Sequence, residues 1–321
     1  MQYRMLGRTN MEVSVICCGT MAMCPHPTYG EPDDEESIAA VHAALDAGVN
    51  FFDTAEGYGD GYAEDILGRA LEGKREEAIV ATKVSRANLC GPDLTGACER
   101  SLQRLRSDYV DLYQVHWPNH DVPFSETAGA LEDLREQGKL RAWGVSNFGR
   151  LDLSDALEVG RPVANQVPYS LLWRAVEHEI TPVCVAQDVS IVCYSPLAQG
   201  VLTGKFRNAD EVPEPRKRAR YCKGAAMALS FAVVDELRSI SLEIGESTAD
   251  IALAWVLARP GVAAAVAGAR DRDQVADNAA AGNLELPAGV VERLSLASQP
   301  LKDALDANPD MWQEGAESRY R

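Results

Sequence analysis

The 321-residue chain is short of positive charge: 31 Lys and Arg stand against 48 Asp and Glu, a formal net charge of −17. That imbalance weighs against nucleic acid or an anionic membrane surface as the main partner, although a few local cations suffice for a small anionic ligand. No apolar run approaches the roughly eighteen residues that a membrane span needs, and the first residues carry no apolar signal core. The eight cysteines form no Cys-x-x-Cys pair. Cys17, Cys184 and Cys193 lie in apolar, strand-like runs, which points to buried reduced thiols and a cytoplasmic protein rather than a disulfide framework. Adjacent Cys17 and Cys18 project to opposite faces of a strand and so make a poor redox switch. Five scattered histidines without ligand spacing imply no metal site.

What is present reads as a soluble globular chain, 46% hydrophobic and 25% charged, with enough apolar residues for a sizeable core. After hairpin-like punctuation at Leu6–Asn10, short apolar runs alternate with segments of helical spacing. Strands are expected at 13–18, 51–54, 79–84, 112–116, 142–146, 165–167, 191–194 and 263–266. Helices are expected at 37–47, 63–71, 96–105, 127–137, 152–159, 177–187, 229–257 and 273–280. Eight such units with no Gly/Ser/Pro-rich linker favour one α/β domain over 1–321, a closed (β/α)₈ TIM barrel. An open dinucleotide-binding sheet would carry Gly-x-Gly-x-x-Gly after its first strand, and this chain has none there. Two regions break the rhythm: a long loop after the seventh strand, 206–224, with the basic run Arg216–Arg220, and a polar tail, 300–321, expected to fold over the barrel.

In a barrel, side chains at the C-terminal strand ends converge on one mouth. Asp53, Lys83 and His116 occupy such ends, and Tyr58 follows Asp53 in a Gly-flanked loop. Singly, each has an ordinary explanation as a cap, a snorkelling lysine or a hydrogen-bonded core histidine. Together they form an acid–base set. A buried Lys83 pairs with Asp53, its field is expected to lower the pKa of the Tyr58 phenol, and His116 donates to a carbonyl oxygen. No nucleophile with an adjacent base is apparent, so the set protonates a carbonyl and needs a hydride from elsewhere.

The chain resembles an aldo-keto reductase along nearly its whole length. The resemblance rests on Gly48-Val49-Asn50-Phe51-Phe52-Asp53-Thr54-Ala55-Glu56-Gly57-Tyr58-Gly59, on Asp53, Tyr58, Lys83 and His116 in that order, on Gly144–Phe148, on Tyr194–Gly200 and on Gly268–Arg270. The long loop and tail are more similar to the bacterial and potassium-channel β-subunit-like branches. This likeness implies reduction of an aldehyde or ketone with NAD(P)H, Tyr58 giving the proton. A second implied fate is that of a cofactor-binding regulatory or redox-sensing protein with little turnover. It further implies that Ser146, Asn147 and Gln166 hold the nicotinamide carboxamide and that Tyr194 stacks on its ring. Gly19 and Thr20 would line the cofactor beside the first strand. Ser195, Leu197, Gln199, Gly200 and Lys205 would meet the pyrophosphate, and Gly268, Arg270, Gln274 and Asn278 the adenosine end. Asp271 departs from the family's usual Ser or Thr and would repel a 2′-phosphate, whereas Arg270 and Arg272 would attract one. NADPH is therefore favoured, with NADH open. The small carbonyl substrate is expected against Met21, Tyr29, Trp117 and Trp173. Its identity and the oligomeric state are not legible.

Overall fold

The computed structural model describes residues 1–28 and 30–321. The chain begins with an antiparallel hairpin of β1 (Tyr3–Met5) and β2 (Glu12–Ser14). Eight parallel strands follow: β3 (Ile16–Gly19), β4 (Phe51–Asp53), β5 (Ile79–Val84), β6 (Val110–Val115), β7 (Leu140–Ser146), β8 (Ala164–Pro168), β9 (Ser190–Tyr194) and β10 (Val262–Gly268). They pair in chain order, and β10 returns to β3, which closes the barrel. The expected (β/α)₈ architecture is therefore the observed one.

Alternation along the strands builds two separate apolar layers. Cys17, Phe51, Ala81, Leu112, Ala142, Ala164 and Val192 fill the lower barrel interior together with Leu6, Met11 and Val13 of the hairpin, which plugs that end. Cys18, Phe52, Val80, Tyr113, Trp143 and Val145 face outward beneath the helices. The two neighbouring cysteines thus fall in different layers, as the alternation requires. All eight cysteines are unpaired.

Two expected elements are divided. The strand expected at 13–18 breaks at a corner, because the Ser14 hydroxyl donates to Ile16 O and accepts from the Asn50 and Phe51 amides. The helix expected at 229–257 is two, Gly224–Ile244 and Thr248–Leu257. Gly245 ends the first at φ +79°, a left-handed conformation that glycine adopts without Cβ strain, and Ser247 caps the second by accepting from Asp250 N.

The 206–224 loop leaves the mouth after β9 and contains three short turns, Ala209–Glu211, Glu214–Arg216 and Arg220–Cys222. After the helix Gln299–Ala304 the tail crosses back toward the same mouth. Arg220 ties loop to tail: its guanidinium is buried, donates to Leu305 O and Asp306, and lies 5.4 Å over the Trp173 ring.

Candidate active site

Seven of the eight barrel strands deliver a singled-out residue to the same end: Gly19 from β3, Asp53 from β4, Lys83 from β5, Ser146 from β7, Gln166 from β8, Tyr194 from β9 and Gly268 from β10. His116 directly follows β6, its amide bonded to Val84 O. The loop after β4 is stapled to the loop after β5 by Glu56, which accepts from Ser85 N at 2.6 Å and Asn88 Nδ2 at 2.9 Å. That staple, with Tyr58 N donating to Ala55 O, fixes where the phenol sits.

Lys83 is the hub. Its side chain is fully buried, and its ammonium donates to Asp53 Oδ1 at 2.6 Å, Thr54 O at 2.8 Å and Tyr58 Oη at 3.2 Å. The three ammonium protons are thereby satisfied, which is what makes a buried lysine tolerable. Burial alone would lower the Lys83 pKa, but the Asp53 carboxylate and Tyr58 outweigh it and hold the ammonium above the ordinary lysine range. Asp53 Oδ2 accepts from Gln166 Nε2 at 2.7 Å, so the carboxylate is bracketed on both oxygens.

The phenol corrects one expectation. Lys83 does pull the Tyr58 pKa down, but desolvation is the larger effect and leaves it above the ordinary tyrosine value. Tyr58 is therefore a neutral phenol beside a cation: a donor with its proton in place. His116 stands edge-on to it, ring centroids 5.9 Å apart and planes at 80°. Burial, reinforced by Lys83, lowers the His116 pKa to about 3, so the imidazole is neutral at ordinary pH and retains one N–H to donate.

On the opposite side Ser146, Asn147 and Tyr194 form a continuous network. Ser146 Oγ donates to Gln166 O at 3.0 Å, and Asn147 Nδ2 donates to His116 O at 2.9 Å and to Ser146 Oγ at 3.1 Å. Asn147 Oδ1 accepts from Tyr194 Oη at 2.9 Å and from Tyr320 Oη at 2.7 Å. Thr20 is buried with its amide and hydroxyl both on Asp53 O.

The turn after β9 holds Ser195, Ala198 and Gln199 at φ between +47° and +54°, and Gly200 at +86°. A run of left-handed backbone is costly for non-glycine residues and is sustained at sites that need it. A Cβ on Gly200 would come within 2.8 Å of Lys205 Nζ and 2.9 Å of Arg216 Nη1, so two cations press on bare backbone there. Desolvation, together with Arg216 and Arg270, lowers the Lys205 pKa, the sign of cations gathered in one place. Such a donor set suits the phosphates of a dinucleotide.

At the far side, Asp271 caps the helix Arg272–Ala280, accepting from Gln274 N at 2.8 Å and Gln274 Nε2 at 2.5 Å. Gln274 Oε1 accepts from Arg270 N at 3.2 Å, and Asn278 Nδ2 donates to Gly268 O at 3.3 Å. The departure at 271 thus has a local employment. Leu197 is partly buried against the outer core.

Of the expected substrate-pocket residues, Met21 is 39% exposed in the turn after β3. Trp117 lies between the tail residues Arg319, 3.8 Å over its ring, and Tyr320, edge-on at 5.5 Å. Trp173 is buried, its indole N–H donated to Pro309 O, and braces the tail from below. Tyr29 lies outside the described residues. Within the basic run Arg216–Arg220, Arg220 is the tail's anchor, and Arg216 abuts the Gly200 turn.

Three residues were missed. Gln114, fully buried on the inward face of β6 between Leu112 and His116, has no hydrogen-bond partner for either amide atom. Its place follows from the alternation alone. Tyr320 carries no local signal, since Asn147 and Trp117 lie far away in sequence, and the same holds for the stacking of Arg319 on Trp117.

The family model for the Aldo/keto reductase family matches residues 15–298. The NADH-specific methylglyoxal reductase of Escherichia coli K12 is 31% identical over 88% of this chain and 93% of its own. A probable voltage-gated potassium channel subunit beta of Oryza sativa subsp. japonica is 32% identical over 87% and 90% respectively. The aldo/keto reductase of Klebsiella pneumoniae solved in complex with NADP and acetate superposes with a TM-score of 0.76 at 29% identity over 98% of each chain. Barrel, strand-end residues and both kinds of relative agree: the chain belongs to the aldo/keto reductase family.

Proposed function

We propose that the protein is an NADPH-dependent oxidoreductase that reduces a small aldehyde or ketone to the alcohol. A bound reduced nicotinamide cofactor supplies the hydride. Tyr58 gives its proton to the carbonyl oxygen, and the resulting phenolate is held by the Lys83 ammonium 3.2 Å away. Asp53 keeps that ammonium charged and aimed. Neutral His116 donates to the same carbonyl oxygen and fixes its orientation, so two donors act where negative charge develops. The observation that carries this reading is one buried lysine bonded to both a carboxylate and a phenol, beside an uncharged imidazole.

Ser146, Asn147, Gln166 and Tyr194 are assigned to the nicotinamide, with Gly19 and Thr20 beside it. Ser195, Leu197, Gln199, Gly200 and Lys205, joined by Arg216, take the pyrophosphate. Gly268, Arg270, Gln274 and Asn278 take the adenosine. NADPH is favoured over NADH because Arg270 and Arg272 flank Asp271, whose carboxylate is engaged in capping. Met21 and Trp117 are assigned to the substrate wall, with Trp173 supporting it from beneath the tail. The unpaired cysteines support a reducing, cytoplasmic setting.

The likeness to a channel subunit sustains a second reading, a cofactor-binding regulator with little turnover. Loss of NADPH absorbance with a panel of small aldehydes separates the two. The enzyme reading requires multiple turnovers, with NADPH used faster than NADH. Tight NADPH binding without consumption by any aldehyde would leave the regulatory reading.

A further inference from the structure

The Asn147 side chain is saturated. Its amide protons go to His116 O and Ser146 Oγ, and its oxygen takes two hydroxyls, from Tyr194 and Tyr320. An amide oxygen has two lone pairs, so no further donor can bond it while both tyrosines remain. Yet Asn147 is assigned above to the nicotinamide carboxamide, whose amide protons need an acceptor. One tyrosine must yield.

The two are not equally held. Tyr194 ends a barrel strand paired on both sides. Tyr320 belongs to the tail, and few bonds fasten this stretch to the barrel. Arg321, 47% exposed at its side chain, pairs with Asp152 and Asp155, and its carbonyl accepts from Leu151 N. The Asp155 pair is exposed on both sides and contributes little, so the buried Asp152 carboxylate is the main hold. Arg319 pairs with Asp310, an earlier tail residue that Arg220 and Trp173 anchor, so that bond parts when the last residues swing away. Behind the tail lies a cavity of about 380 Å³, lined by Tyr320, Ser318, Asn308, Gly149 and Glu179 among others, which leaves room for Tyr320 to swing away.

We propose that the Tyr320 hydroxyl is a placeholder for the carboxamide of the nicotinamide: it occupies Asn147 Oδ1 in the free protein and is expelled when cofactor binds, loosening the tail from the mouth. The tail then reports cofactor occupancy, and each binding event must first break the Tyr320–Asn147 bond. This rests on the cofactor reading above, and the test separates the two.

NADPH affinity of the wild type and of Tyr320→Phe is measured by nicotinamide fluorescence, and amide exchange of residues 316–321 is followed by mass spectrometry with and without NADPH. Tyr320→Phe keeps the ring against Trp117 and deletes only the competing hydroxyl. It is expected to tighten binding about fivefold, the factor that one net neutral hydrogen bond sets. In the wild type NADPH is expected to speed exchange at Arg319 and Arg321, whose amides are bonded to Asp310 and Asp152 in the free protein. An unchanged or weaker affinity in Tyr320→Phe, or a tail whose exchange is unchanged or slowed by NADPH, overturns the placeholder while the cofactor reading stands. A wild type that binds no NADPH sinks the cofactor reading itself. Asp152→Asn, which loosens the tail without touching Asn147, should tighten binding in the same direction; if it weakens binding, the placeholder fails as well.

Discussion

Along the inward face of the barrel strands, residues two apart meet opposite fates. At the lower level stand Phe51, Ala81, Leu112 and Ala164, packed against the hairpin in a wholly apolar layer. Two residues later the same strands present Asp53, Lys83, Gln114 and Gln166, equally inaccessible to water. Burial is the same in both layers; only the polar satisfaction differs. The lower layer is held by contact alone, whereas the upper one is stable only because each charge has a named partner. That difference places stability in one half of the barrel and chemistry in the other, and substitution at the paired levels tests the division.

The largest effect is expected from Lys83→Met. It strands the Asp53 carboxylate in the barrel with Gln166 alone, at a cost of about 3–5 kcal/mol in denaturant unfolding, and carbonyl reduction falls with it. A loss below about 1 kcal/mol would mean that the upper layer does not depend on the ion pair. Leu112→Ala, one level down, should cost about 3 kcal/mol through the cavity it leaves, while the affinity for NADPH stays near the wild type. A marked loss of NADPH affinity in Leu112→Ala would blur the two levels into one.

Gln114→Leu extends the apolar layer upward by one position. Because both amide atoms of Gln114 lack partners, the substitution should raise stability by about 1–2 kcal/mol. A fall in the unfolding midpoint would reveal that Gln114 has employment in the upper layer. The smallest effect concerns pH. The folded His116 pKa of about 3 lies below its ordinary 6.5, so the unfolded chain takes up a proton that the folded one refuses. The contribution is intact above pH 6.5 and is lost progressively as pH falls toward 3, about 1 kcal/mol by pH 5.5. His116→Gln should flatten that share of the acid limb when unfolding is measured between pH 7 and 5; an identical slope in both proteins would show His116 to be less desolvated than its place suggests.

What the sequence made legible follows the same division. Period-two alternation and the strand-end positions of Asp53, Lys83 and His116 locate the mouth, because both depend on local spacing. The break between the helices Gly224–Ile244 and Thr248–Leu257 was also available: Gly245 followed by Ser247-Thr248-Ala249-Asp250 is a stop and a cap in succession. The raised pKa of Tyr58 was not, since desolvation depends on everything that packs around the phenol. Nor was the reach of Tyr320 to Asn147, a contact between residues 173 positions apart that only the closed tail creates.

Tyr58→Phe tests the central claim most directly, with NADPH affinity and the single-turnover rate of aldehyde reduction measured on the same preparation. The account predicts an affinity close to that of the wild type and a reduction rate lower by about 10²–10⁴-fold, the share that a positioned general acid supplies. Reduction at a near wild-type rate would contradict it, and the buried Lys83–Asp53 pair would then need another purpose.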